Sequence, residues 1–144
     1  SVKKSIDLLS SFEGRKILIL GDMLELGLKS RKFHEDVGFL ASRKGIDIFV
    51  GYGKYTKFSL DSFSNQGYFF ENEADLKHFI NNNVKSNDVI LIKGSRGMKM
   101  ERFIINGMVK PLSIPIAGLH MKRPKRLLKV KKEISNQKYL LSIK

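Results

Sequence analysis

Apolar positions along this chain switch between helical and strand-like spacing. Residues 2–12 place Val2, Ile6, Leu8, Leu9 and Phe12 at mostly helical intervals, and Gly14 stands where such a helix would stop. Residues 16–20 (K-I-L-I-L) form a short, nearly continuous apolar run ending at Gly21, the pattern of a strand buried on both faces. Residues 30–44 return to helical spacing, with Phe33, Val37, Leu40 and Ala41 on one side and Gly45 as the stop. Further strands are predicted over 46–50, 67–70 and 88–92. Residues 73–84 carry the apolar stripe of a helix in Leu76, Phe79, Ile80 and Val84. Another helix is predicted over 98–108, with Met100, Phe103, Ile104 and Met108 available for packing. The stretch 52–62 is ambiguous and can form a short helix.

Short strands alternating with longer helices predict an α/β domain with a mostly parallel sheet over residues 1–109. In such folds ligands sit beyond the carboxyl ends of the strands. The places to search are therefore residues 21–27, 51–54 and 93–100. After Lys110 the pattern fails, because Pro111, Pro115, Gly118 and Pro124 interrupt it. Residues 110–144 read as an irregular or disordered basic tail, with at most a short amphipathic helix over 125–134 carrying Leu127, Val130 and Ile134.

Composition narrows the class. At 144 residues and 42% hydrophobic, the chain is the size of one domain and can bury one core. No apolar run reaches the roughly 18 residues of a membrane-spanning helix. Lys3 and Lys4 open an amphipathic stretch and not a secretory leader. The absence of Cys excludes disulfides, a thiolate nucleophile and a Cys-type zinc site, and the expected compartment is the cytoplasm. The first residue, Ser1, implies either a removed initiator or a piece of a longer protein. The net charge of +13 is uneven, with +4 on residues 1–109 and +9 on residues 110–144. That distribution weakens a nucleic-acid reading for the domain and confines it to the tail.

Two segments carry candidate chemistry. G-D-M-L-E-L-G, residues 21–27, follows the first strand. Gly21 and Gly27 permit tight turns around Met23, and the carboxylates of Asp22 and Glu25 can meet an amine, a ribose hydroxyl or a metal-bound water. Equally, they can cap the next helix. K-G-S-R-G-M-K-M-E, residues 93–101, joins the fourth strand to a helix. Lys93, Gly94, Ser95, Arg96, Gly97 and Met98 make a candidate anion site, with backbone N–H groups at a helix start and a fork-shaped guanidinium. Solvated cations on a capped helix explain the same residues. The spacing is neither G-x-x-x-x-G-K-[ST] nor G-x-G-x-x-G. His34, beside Glu35 and Asp36, is a secondary candidate; His78 and His120 are scattered, and no metal-ligand spacing occurs. Tyr52, Tyr55 and Phe58 interleave with Lys54 and Lys57, which suits either base stacking or an ordinary helix face.

G-D-M-L-E-L-G, then F-H-E-D-V-G, then V-I-L-I-K-G-S-R-G-M-K-M-E-R, in that order, resemble the C-terminal domain of the Mur ligases over about residues 1–108. The opening S-V-K-K-S-I-D-L-L is similar to the family helix that follows an Asn-Pro-x-Ser stretch, with Ser1 on that Ser. The resemblance implies a Rossmann-like three-layer fold and a part in ATP-dependent peptidoglycan-precursor synthesis. It points to the branch that joins D-alanyl-D-alanine to UDP-N-acetylmuramoyl-tripeptide through an acyl phosphate. It implies ATP and Mg²⁺ bound mainly outside this chain, in a central domain that this sequence lacks, as it lacks the UDP-sugar domain. On this reading Lys93, Gly94, Ser95, Arg96, Gly97 and Met98 meet the dipeptide, and Gly21, Asp22, Met23, Glu25 and Gly27 line a nucleotide or substrate loop. No residue of the chain is expected to be catalytic, and the chain alone is expected not to ligate. The alternatives are a binding module whose basic tail contacts nucleic acid or an anionic membrane, and an inactive remnant.

Overall fold

A computed structural model describes residues 2–85 and 87–103, and the backbone of 112–114, 128–132 and 138–143. Helix α1 spans Val2–Ser10, strand β1 Arg15–Gly21, α2 Ser30–Arg43, β2 Ile48–Tyr52, α3 Thr56–Ser62, β3 Gln66–Phe70, α4 Glu73–Asn83 and β4 Asp88–Gly94. Strands β3, β2, β1 and β4 lie side by side in that order, all parallel. This is the expected α/β architecture.

The two faces of the sheet follow from strand alternation. Leu18 and Leu20 of β1, Phe49 of β2, and Val89 and Leu91 of β4 pack under α1 and α2, against Val2, Ile6, Leu9, Val37 and Ala41. The opposite residues, Ile17, Ile19, Ile48, Val50, Ile90 and Ile92, pack against Leu76, Phe79 and Ile80 of α4 and against Met100 and Phe103. The central strands are buried on both sides, hence their continuous apolar runs. Helix α4 begins where Asn72 Oδ1 accepts the N–H groups of Ala74 at 2.7 Å and Asp75 at 3.3 Å.

Helices α2 and α3 approach closely. The hydroxyls of Ser59 and Ser62 donate to the carbonyl oxygens of His34 and Glu35, each at 2.6 Å. A Cβ on Gly38 would fall inside the contact radius of the Ser59 carbonyl and the Ser62 hydroxyl. At the amino ends of β1 and β4, Arg15 grips Asp88 with two hydrogen bonds, Nε to Oδ1 at 2.8 Å and Nη2 to Oδ2 at 2.6 Å. Asp88 Oδ2 also accepts the Lys85 N–H at 2.7 Å.

Two expectations change. The helix expected over 98–108 is preceded by a single 3-10 turn, Arg96–Met98, and by Lys99 in the left-handed region at φ 47°. Helical residues begin only at 102, and residues 104–108 lie outside the described part. A left-handed residue cannot continue a helix, so the turn and the helix are separate. In the tail, where at most a short helix over 125–134 was expected, the backbone forms β5 Leu112–Ile114, β6 Leu128–Lys132 and β7 Lys138–Ile143. They extend the sheet in the order β4-β7-β6-β5, β7 parallel to β4 and the others antiparallel. The short helix considered over 125–134 is therefore replaced by a strand at 128–132. An isolated helix of ten or so residues is marginal in water. Strand β4 is buried along its whole length, and its outer backbone groups need partners. Pro111, Pro115, Gly118 and Pro124, and His120, fall outside the described residues.

Candidate functional site

The chain steps outward from β1 to β2 to β3, then returns to the other side of β1 for β4. The strand order thus reverses between β1 and β4, and a crevice opens beyond the carboxyl ends of such a pair. The loops there begin with Gly21-Asp22 and with Gly94-Ser95, the two segments singled out from the sequence.

Asp22 ties these loops together. It is buried at 3% exposure. Its Oδ2 accepts the Lys54 N–H at 2.7 Å, and its Oδ1 accepts those of Tyr55 at 2.8 Å and Thr56 at 3.0 Å. It therefore caps a helix, as one reading of the sequence allowed, but the helix is α3 and not the next one along the chain. Its main-chain carbonyl accepts both the N–H of Ser95 at 3.2 Å and the Ser95 hydroxyl at 2.9 Å. Gly53 is held at φ 124°, and a Cβ there would stand 2.5 Å from the Asp22 carboxylate; only glycine fits without strain.

The remaining residues of the two segments separate by exposure. Lys93 is 2% exposed, one of the largest fully buried side chains among the described residues. Gly21 and Gly94 are covered by Met100, whose sulfur would lie 2.5 Å from a Cβ on Gly21 and whose Cγ would lie 2.7 Å from one on Gly94. Met23 is buried; Met98 is half-buried; Arg96 and Gly97 are exposed. Glu25, in the left-handed region at φ 68°, is exposed, as are Leu24, Gly27 and, completely, Leu28. The site thus presents a guanidinium, a carboxylate and an apolar rim to solvent, while Asp22 and Ser95 satisfy the interior.

Arg102 fastens the turn after β4 to β2, a role not legible in the sequence although the residue ends the quoted third motif. Its Nη1 donates to the Met98 carbonyl at 2.9 Å and its Nη2 to the Tyr52 hydroxyl at 3.2 Å. Its Nε lies 3.0 Å from Glu73 Oε1, an ion pair without hydrogen-bond alignment. The neighbouring Lys77, through its hydrogen bond, and Arg102 hold the Glu73 carboxyl below its usual range.

His34 is fully buried. Its Nε2 accepts the Met23 N–H at 3.1 Å, which places the proton on Nδ1, and Nδ1 donates to the Ser30 carbonyl at 2.7 Å. Its ring stacks on Tyr55 with centroids 6.1 Å apart. It positions the Asp22-Met23 loop and does not face the crevice. Burial pushes its pKa below the ordinary 6.5, against the raising effects of the Ser30 hydrogen bond and the Asp22 charge. A base with a depressed pKa binds more protons unfolded than folded, so stability rises with pH through that window. The contribution is complete above pH 6.5 and is lost as pH falls below it. Urea midpoints measured on both sides of that pH should fall on acidification more steeply in the wild type than in His34→Gln. Parallel curves would assign the effect to another group.

With the fold and the site in hand, comparison with known proteins gives the class. The family model described as Mur ligase, glutamate ligase domain matches residues 1–96, and the chain belongs to that family. The UDP-N-acetylmuramoyl-tripeptide–D-alanyl-D-alanine ligase of Bacillus subtilis (strain 168) is 38% identical over 120 residues, covering 78% of this chain and 26% of that protein. The ligase of the same name from Escherichia coli (strain K12) is 31% identical over 106 residues, covering 72% and 23%. The crystal structure of MurF ligase from Thermotoga maritima in complex with ADP aligns with a TM-score of 0.62 and 26% identity, over 72% of this chain and 24% of that one. The chain spans about a quarter of the length of these relatives.

Proposed function

We propose that this chain is the C-terminal part of a ligase that joins D-alanyl-D-alanine to UDP-N-acetylmuramoyl-tripeptide, and that it holds the incoming dipeptide. The observation that carries the reading is the pair of loops meeting at the strand-order reversal, in a chain 38% identical to a ligase so named. Arg96 receives the dipeptide carboxylate in a two-pronged contact, on the loop of Ser95, Gly97 and Met98 that follows Lys93 and Gly94 at the end of β4. Glu25 faces the same solvent and offers a counter-charge to the ammonium end or to a neighbouring nucleotide. Gly21, Asp22, Met23 and Gly27 shape that loop.

Holding the amine beside the activated carboxyl of the tripeptide converts a bimolecular reaction into an oriented one. Activation by ATP and Mg²⁺ is assigned to the rest of the ligase. Among the described residues no group of three or more His, Asp or Glu side chains is placed to hold a metal ion. The sequence also lacks a phosphate-binding G-K-[ST] loop. The reading therefore leaves ATP and Mg²⁺ to the rest of the ligase. The exposed Leu24 and Leu28 are suited to close against the rest of the ligase. Among the described residues no helix is long and apolar enough to cross a membrane. On this reading the reaction takes place in the cytoplasm.

The test is a ¹⁵N–¹H NMR titration of the chain, and of the chain with the remaining ligase domains and ATP. Saturable shifts at Gly94, Ser95, Arg96 and Gly97 are expected with D-alanyl-D-alanine and absent with L-alanyl-L-alanine. No D,D-specific shift in either preparation would overturn the reading. In the complete ligase, Arg96→Ala should raise KM for the dipeptide about tenfold or more with a smaller change in kcat, as the loss of a charge-assisted contact requires. An unchanged KM would remove Arg96 from the site.

A further inference from the structure

The sequence offers Asp22 as a ligand group, and its surroundings point elsewhere. We propose that Asp22 is a positioning residue, whose carboxylate and main-chain carbonyl clamp the loop after β2 and the loop after β4 into one seat. The carboxylate has about four acceptor directions. Three are taken by the N–H groups of Lys54, Tyr55 and Thr56, at 2.7, 2.8 and 3.0 Å, and burial closes off a ligand. The Asp22 N–H donates to the Tyr52 carbonyl at 3.1 Å, so the residue is anchored to β2 from its backbone too. Its carbonyl then takes both Ser95 donors. One residue thus joins the ends of β1, β2 and β4, and Arg96 follows directly on the one it holds. The position of Arg96 is set by a carboxylate that does not touch the dipeptide.

The consequence for the dipeptide rests on the function proposed above; the clamp itself does not. Asp22→Asn keeps the shape but replaces one acceptor oxygen with an NH₂ group that opposes a main-chain N–H. Gly53→Ala leaves Asp22 intact and displaces its carboxylate by contact. Amide hydrogen exchange on the 144-residue chain reads the clamp without ligand. Exchange at Lys54, Tyr55, Thr56 and Ser95 should quicken about tenfold or more in both variants, the size expected for losing a hydrogen bond to a charged group. Amides of Ile19 and Ile92, in the centres of β1 and β4, should keep their protection, which shows that the fold persists. If the amides of Lys54, Tyr55 and Thr56 open while Ser95 keeps wild-type protection in both variants, the two loops are independent and the proposal falls.

The substrate arm uses D-alanyl-D-alanine itself. Its Kd should rise about tenfold in Asp22→Asn at unchanged core protection, a readout that a purely structural role would not move. An unchanged Kd with Ser95 opened would overturn the positioning role. A wild-type chain that binds no dipeptide, alone or with the remaining domains, would count against the function reading. The exchange result would still decide the clamp.

Discussion

Asp88→Ala is expected to lower the stability of the chain by about 3 kcal/mol, because it breaks an ion pair whose carboxylate is buried. Asp88 is 2% exposed and holds three donors, two from Arg15 and one from the Lys85 backbone. Its removal leaves the Lys85 N–H without its acceptor. Arg15 keeps its bond to the Asn83 carbonyl at 2.7 Å. The Arg15 side chain is 32% exposed, so water meets part of the loss, which sets the figure at the low end for a broken buried pair. The paired carboxylate also holds the guanidinium pKa above its ordinary value. Urea unfolding at low and high salt is the measurement. The loss should persist at high salt, since a sheltered pair is poorly screened. A loss under about 1 kcal/mol would mean that the pair behaves like a surface one. The exposed Arg31–Glu35 pair on α2 is the internal contrast, and Glu35→Ala should leave the midpoint almost unchanged.

Gly38→Ala is the second large effect, and its sign is the point. In an ordinary helix interior the change gains about 1 kcal/mol of helix propensity. Here the new methyl meets the Ser59 carbonyl and the Ser62 hydroxyl across the α2–α3 contact. Overpacking of that kind costs about 3 kcal/mol. The expected net loss is about 2 kcal/mol, by difference of those two figures. A thermal or urea midpoint above that of the wild type would show that α3 shifts freely to make room. It is not free to do so, because Ser59 and Ser62 bond α2 from one side and the Asp22 carboxylate holds the first turn of α3.

That same turn explains what could and could not be read from the sequence. Strands β1 and β4 and helices α2 and α4 carried strong local patterns and stand within a residue or two of their expected bounds. Strand β2 starts at Ile48, not Ile46, because the Ile46 N–H closes the end of α2 on the Ala41 carbonyl and Asp47 bonds the Lys16 backbone. Helix α3 was ambiguous for a physical reason. Its own cap position, Tyr55, makes no side-chain cap bond, and the capping carboxylate comes from Asp22, more than thirty residues earlier. No window scanned along the chain contains both partners. His34 was legible as a helical residue but not as the acceptor for Met23, since that contact depends on how the loop folds back over α2. The two site loops were visible because glycine, acid and base cluster at strand ends. Which of their groups face inward was not, because burial is decided by strand order. The tail strands were hidden by proline and charge, and their register comes from the open side of β4.

Met100 lies across Gly21 and Gly94, on neighbouring strands, so a methyl group on either requires its side chain to move. These three positions are therefore coupled in substitution. Alanine at 21 meets only the Met100 side chain, whereas alanine at 94 also meets the Gly21 backbone at 3.2 Å, and a bulkier residue at 100 demands that both glycines stay. In a collection of functional variants, a larger residue at 21 or 94 should come with a smaller one at 100, while a smaller one at 100 can come alone.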